Sequence, residues 1–207
     1  MNENVEKRKK YEIDMCSGNL FVKILIFSLP LALMGILQLL YNTADLIVVG
    51  NFSNQEGALG AVGSTSALIN LIVNLFMGLS VGTNVVVARL YGAKDYEKVG
   101  RVVHTSIFVS FIIGVLLGVM GFFMAGTFLH LMHNDLELSK IYLQIYFIGM
   151  PFNMVYNFAA AILRAVGDTK RPLIYLSVAG IVNIILNLFF VIVCKLGFAG
   201  VAIATII

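Results

Sequence analysis

From Leu20 onward the chain alternates long apolar blocks with short polar ones. The blocks run over about 20–49, 58–88, 102–131, 141–163 and 173–194, and a sixth begins at 197 and reaches 207. Each of the first five is long enough, at about 1.5 Å of helical rise per residue, to cross a hydrocarbon core about 30 Å thick. The sixth rises only about 16 Å, half a crossing, so it is expected to be incomplete. Strands of a membrane barrel would be about 10 residues long and would alternate between lumen and lipid faces, which these continuous runs do not. Gly, Ser and Ala within "ALGAVGSTSAL" and "MPFNMVYNFAAAIL" suit close helix contacts in lipid. The pattern predicts an all-α integral membrane fold: a leader over 1–19, then a six-helix lobe over 20–207.

Composition sharpens this picture. With 59% hydrophobic and 12% charged residues, there is too little charge to cover a soluble domain of 207 residues. The basic residues are also placed unevenly. Lys7–Lys10 with Lys23, then Arg89, Lys94, Lys98 and Arg101, then Arg164, Lys170 and Arg171 fall on one side of the predicted bundle. Only Lys140 and Lys195 fall on the other, which predicts a multi-pass protein of a bacterial-type cytoplasmic membrane with its N-terminus in the cytoplasm. The leader has mixed charges and no A-x-A-like cleavage site, so it reads as a retained segment. Its KRKK run reads as a topology signal that can also meet anionic lipid headgroups. The net charge of +3 calls for no nucleic-acid partner. Cys16 and Cys194 fall on opposite sides and cannot pair with each other. His130 and His133 lack the third and fourth ligands that a metal site needs, so no metal centre is expected there.

No catalytic or nucleotide-binding motif is present, whether G-x-S-x-G, Walker loop, H-E-x-x-H or C-x-x-C, so no enzyme is expected and no cofactor is implied. The residue that stands out is Asp45, inside the first apolar block. A carboxylate at the centre of a membrane helix costs about 2.5–3.5 kcal/mol on insertion scales, and less toward the interface. Gln38, Asn42 and Asp45 recur at +4 and +3, which sets them on one face of a helix. Other predicted helices carry polar stripes too: Ser66, Asn70 and Asn74; Tyr142, Tyr146, Asn153 and Asn157; Asn183 and Asn187. These uncharged groups can line a polar cavity and hydrogen-bond a carboxylate without fixing its protonation state. Every Lys and Arg lies in a loop or at a span end. The charge of Asp45 must then be matched by something mobile: a proton, a sodium ion or a cationic substrate. Pro30, fifteen residues earlier in the same block, removes a helix hydrogen bond and favours a bend.

Four stretches, "PLALMGILQLLYNTADLIVVGNF", "ARLYGAKDYEKVGRVV", "LRAVGDTKRP" and "VNIILNLFFV" with the following "GFAGVAIATI", together resemble the N-terminal half of a transporter of the MATE (multidrug and toxic compound extrusion) family, closer to its DinF-like branch. The resemblance covers about 20–207. It implies twelve helices in two lobes and export of amphiphilic, often cationic compounds in exchange for H+ or Na+, without a resident cofactor. It implies that Asp45 is the coupling carboxylate, able to hold Na+ transiently, with Tyr142, Asn183, Asn187 and Thr205 around it. Gln38, Asn42, Asn153 and Asn157 are expected in the substrate cavity, and Pro30 at a helix bend. Asn187 departs from relatives that carry Asp there, which reduces a two-carboxylate site to one. The expected partners are small organic cations or amphiphiles, membrane lipids, and a second lobe or a second copy of this one. The alternatives are a lipid-linked oligosaccharide flippase of similar architecture, disfavoured by the lack of cationic residues within the spans, and a noncatalytic or truncated membrane subunit. "GDTKRP" reads as a structural turn.

Overall fold

The computed structural model describes residues 13, 19–52, 58–132 and 137–207. The KRKK run, Cys16 and His133 lie outside the described residues. Helices follow one another as α1 (Leu20–Phe52), α2 (Ala58–Gly92), α3 (Tyr96–Leu131), α4 (Glu137–Ile148), α5 (Met150–Ala165), α6 (Lys170–Leu188) and α7 (Gly197–Ile206), with a single π-turn, Phe189–Val193, between α6 and α7. Among the described residues, four helical segments are long and apolar enough to span a membrane, and α4 with α5 adds a fifth as one bent span.

The apolar exterior and the small-residue interior divide as lipid requires. Phe21, Leu29, Phe108, Phe123 and Val193 point outward and are exposed, where water would disfavour them and acyl chains would not. The inward face of α3 is Ser110, Gly114, Gly118, Gly121, Ala125 and Leu129, all buried. This stripe lets α4 and α5 approach the α3 backbone closely. The core lies where α4 crosses the bundle: Leu143 and Phe147 meet Ala125 and Leu129 of α3, Val48 and Val49 of α1, and Val201 and Ala202 of α7.

The fourth predicted span, 141–163, differs from one straight helix. It breaks at Gly149, and its halves are bent by 55°. Pro151, the second residue of α5, has no N–H to offer the Phe147 carbonyl, and its ring crowds that carbonyl, so the helix cannot continue straight through. The freed carbonyl faces Gly118, where a Cβ would lie 2.7 Å from the oxygen. The fifth span likewise leaves α-geometry at the π-turn before Cys194.

On the basic end, the "GDTKRP" turn behaves as a cap for α6. The Arg171 N–H donates to Asp168 Oδ1 at 3.1 Å, and its Nε lies 3.1 Å from Oδ2. Gly167 has φ +88°, and a Cβ there would lie 2.8 Å from the Ile13 carbonyl oxygen. The Ile13 N–H also donates to the Gly167 carbonyl at 3.2 Å. Removing the buried carboxylate with Asp168→Ala is expected to cost on the order of 1 kcal/mol, seen as a lower unfolding midpoint in detergent.

At the start of α3, Asp95 accepts the Lys98 N–H at 3.2 Å and lies 2.7 Å from its ammonium. The Lys98 ammonium, with the backbone bond as the second cause, holds the Asp95 carboxyl below its ordinary value. The small stabilisation this gives is present above the unfolded carboxylate range and lost as pH falls through the depressed value. Asp95→Asn is therefore expected to flatten the acid limb of the unfolding-midpoint-versus-pH curve slightly.

A candidate cation site at Asp45

The approach of α6 to α1 is set by one glycine. A Cβ on Gly180 would fall 1.8 Å from Tyr41 Cζ, so only a residue without one lets the tyrosine ring lie against the α6 backbone. The Tyr41 hydroxyl then donates to the Leu176 carbonyl at 3.1 Å. One turn beyond Tyr41, α1 carries Asp45 inward.

Asp45 is only 5% exposed. Its Oδ1 accepts the Asn187 amide at 2.5 Å, and that same amide donates to Asn183 Oδ1 at 3.2 Å. Its Oδ2 lies 3.5 Å from the Thr205 hydroxyl, which donates at 2.8 Å to the Val201 carbonyl instead. The buried Tyr142 hydroxyl hydrogen-bonds Thr205. Four elements, α1, α4, α6 and α7, thus converge on one carboxylate, and Asp45, Tyr142, Asn183, Asn187 and Thr205 form one cluster. No basic side chain pairs with Asp45 among the described residues. The ion pairs found there, Lys98–Asp95, Arg101–Glu97 and Arg171–Asp168, all sit at helix ends.

Two oxygens of the cluster are under-used. Thr205 has one proton and directs it at Val201, so Asp45 Oδ2 holds only a long contact. Asn187 Oδ1 is fully buried and accepts no hydrogen bond. A buried acceptor without a donor is costly unless something supplies one. The donor set, a carboxylate with amide and hydroxyl oxygens, is the chemistry that suits a hard cation or a proton.

The other predicted positions lie elsewhere. Gln38 and Asn42 continue the Asp45 stripe toward the opposite end of α1 and are exposed. The stripe therefore runs from an open face to a closed pocket. Asn157, buried in α5, donates to Asn153 Oδ1 at 2.7 Å and to its carbonyl at 2.9 Å. The Asn153 amide reaches the Tyr146 hydroxyl at 3.5 Å, across the break at Gly149. This pair ties α4 to α5. Pro30 is buried in α1, which runs through it as one helix, about 22 Å along the axis from Asp45. Tyr41 and Gly180 were not among the predicted site residues. The glycine in the middle of an apolar span was the available signal, since such glycines often mark close backbone approach.

A multi-pass helical bundle with a buried carboxylate among polar side chains is the architecture of a membrane transporter. The MatE family model matches residues 30–189, and the chain belongs to that family of multidrug efflux transporters. It is similar to the probable multidrug resistance protein YpnP of Bacillus subtilis, 30% identical over 197 residues that cover 94% of this chain and 44% of YpnP. It is also similar to an outward-facing multidrug resistance MATE family transporter of the MOP superfamily, with TM-score 0.81, 29% identity, 89% of this chain and 41% of that one. A MATE structure in the straight conformation aligns with TM-score 0.80 at 30% identity, over 89% of this chain and 41% of the other. The chain spans less than half the length of the relatives it matches, and corresponds to one lobe, the N-terminal half, of the family's architecture.

Proposed function

We propose that this lobe carries the coupling site of an antiporter that exports amphiphilic or cationic organic compounds across the cytoplasmic membrane in exchange for a monovalent cation, H+ or Na+. The observation that carries the reading is Asp45: buried, hydrogen-bonded only by neutral groups, and without a basic partner among the described residues. Transport requires this lobe together with a second one, because alternating access works by rocking one half against the other around a shared site.

The cluster accommodates either cation by a different rearrangement. A sodium ion would draw on the oxygens of Asp45, Asn183, Asn187 and Thr205, which gives the orphaned Asn187 Oδ1 a partner. A proton on Asp45 would turn an acceptor into a donor, and a flip of the Asn187 amide would then place Oδ1 to receive it. In both cases the charge of Asp45 is neutralised from the outer side. The lobe then shifts toward the conformation that holds substrate less tightly, through differential binding of cation and substrate to two states. Gln38, Asn42, Asn153 and Asn157 serve the substrate side of the cavity in this reading, and Pro30 is where α1 changes its bend. The basic residues at one end of the lobe support a cytoplasmic N-terminus.

Inside-out vesicles carrying the intact transporter test the reading by ethidium uptake under separate proton and sodium gradients. Uptake driven by one gradient identifies the ion, and uptake indifferent to both would end the antiport proposal. Asn187→Asp is expected to lower the cation concentration for half-maximal coupling severalfold, because it puts a second carboxylate where the Asn187 amide now contacts Asp45. Tyr142→Phe, which removes a hydroxyl that reaches Asp45 only by way of Thr205, is expected to weaken coupling only a few-fold.

A further inference from the structure

A seam runs along α3 where it meets the broken fourth span. On α3, His104, Phe108, Phe111, Val115, Gly118 and Phe122 recur at +4, +3, +4, +3 and +4, so they share one face. Two grooves lie end to end on it. The one nearer the basic end, of about 670 Å³, has Ile107, Phe108 and Phe111 of α3 facing Phe152 and Val155 of α5, with His104 at its mouth. The other, of about 220 Å³, continues past Val115 and Val119 to Phe122, against Phe147 and Pro151. The α3 glycines Gly114, Gly118 and Gly121 hold Pro151 and Phe147 close beside the grooves.

The groove walls are aromatic and aliphatic, and Phe108, Phe111 and Phe152 are exposed. From His104 to Phe111 the rise is about 10 Å, within the roughly 15 Å depth of one hydrocarbon leaflet. His104 is exposed at the mouth, and Arg101, one turn before it on α3, is exposed too. Arg101 meets the exposed Glu97 through one terminal nitrogen, which leaves guanidinium donors for another acceptor. Lys98, one turn before Arg101, and Arg89 and Lys94 at the adjoining α2–α3 turn extend the positive end.

We propose that this seam is a specific site for one anionic phospholipid of the leaflet at the basic end. One acyl chain lies between α3 and α5 against Phe108, Phe111 and Phe152, and the phosphate is held by His104 and Arg101. Apolar walls with a positive mouth at headgroup depth select a lipid rather than a soluble anion, since a free phosphate gains nothing from the groove. A bound chain would also fill the grooves that run along α3 beside the break.

The test is lipid retention by the intact transporter purified in detergent, measured by native mass spectrometry. Phosphatidylglycerol is compared with phosphatidylcholine of the same acyl chains. The wild type is expected to retain phosphatidylglycerol at least fivefold better, and the double variant Arg101→Ala with His104→Ala to lose that preference, on the basis of about a fivefold gain per basic group near an anionic headgroup. Val155→Trp, which fills the groove and leaves its mouth intact, is expected to lower retention of both lipids. The variants are read only as monodisperse protein with a wild-type unfolding midpoint, and Val155→Phe replaces Val155→Trp if the latter fails that condition. Equal retention of the two lipids by the wild type, preference unchanged in the double variant, or full retention with the groove filled would each overturn the proposal. Retention of glycerol phosphate as strong as that of the lipid would overturn it too.

Discussion

Asp45→Asn is expected to abolish gradient-driven export, lowering ethidium accumulation in inside-out vesicles by at least tenfold, to the level of vesicles without the transporter. The substitution separates charge from shape. An asparagine side chain fills the same space, and its oxygen can still accept the Asn187 amide that now reaches Asp45 Oδ1 at 2.5 Å. The fold should therefore survive, with an unfolding midpoint near that of the wild type. What disappears is the carboxylate, the group of the cluster whose ordinary ionisation gives it a full negative charge near neutral pH. An uncharged site cannot exchange a cation, and a ligand that does not distinguish two conformations shifts neither. A second expectation tests the direction of coupling. The substituted amide resembles the neutralised state of Asp45, so the variant should bind substrate as weakly as the wild type does at saturating cation, and its affinity should ignore both pH and sodium. Couplings of this kind usually amount to about 5–150-fold, which equilibrium binding resolves easily. Normal accumulation in the variant, or substrate affinity that still responds to the ion, would defeat the mechanism.

Much of this arrangement was legible from the order of residues. Continuous apolar blocks identify helices in lipid because a helix satisfies every backbone hydrogen bond within its own segment, whereas the strands of a barrel would be shorter and would alternate in polarity. Asp45 stood out because intramembrane carboxylates are costly, and the spacing of Asn183 and Asn187 placed both on one face of the fifth span. That these groups meet Asp45 could not be read from spacing. It depends on Gly180 admitting the Tyr41 ring, a tertiary contact with no local periodic signature. The break at Gly149 was missed for a related reason. The run 141–163 is apolar enough to span, and the proline that interrupts it acts by withholding one hydrogen bond, which hydropathy does not register. Gln38 and Asp45 read alike as members of one stripe, but burial separates them: Asp45 is covered by α6 and α7, whereas Gln38 faces outward on this lobe.

Gly114→Val is expected to be the most damaging change away from the carboxylate. A glycine inside a helix is unfavourable relative to alanine by roughly 1 kcal/mol, so a substituent should help wherever space allows. At Gly114 space does not allow it: a Cβ would fall 2.6 Å from Pro151 Cα and 3.2 Å from Met154 Cβ. The nearer atom is backbone, so no side-chain rotation relieves the overlap, and α5 must move away from α3. Overpacking of this kind costs about 1–3 kcal/mol and more where backbone shifts, which exceeds the propensity gain. The displacement also carries a functional consequence. Pro151 fixes the bend that sets α5 against α4, and α4 presents Tyr142 to the Asp45 cluster. The variant should therefore unfold at a clearly lower temperature in detergent and lose part of its coupled transport, even though Gly114 touches neither ion nor substrate. Gly126→Ala supplies the comparison on the same helix, since its Cβ would meet only the flexible end of Lys140, at 3.7 Å, and it should leave the midpoint unchanged or slightly raised. If both variants unfolded at the wild-type temperature, the close packing of α3 on the broken span would not be what holds α4 in place.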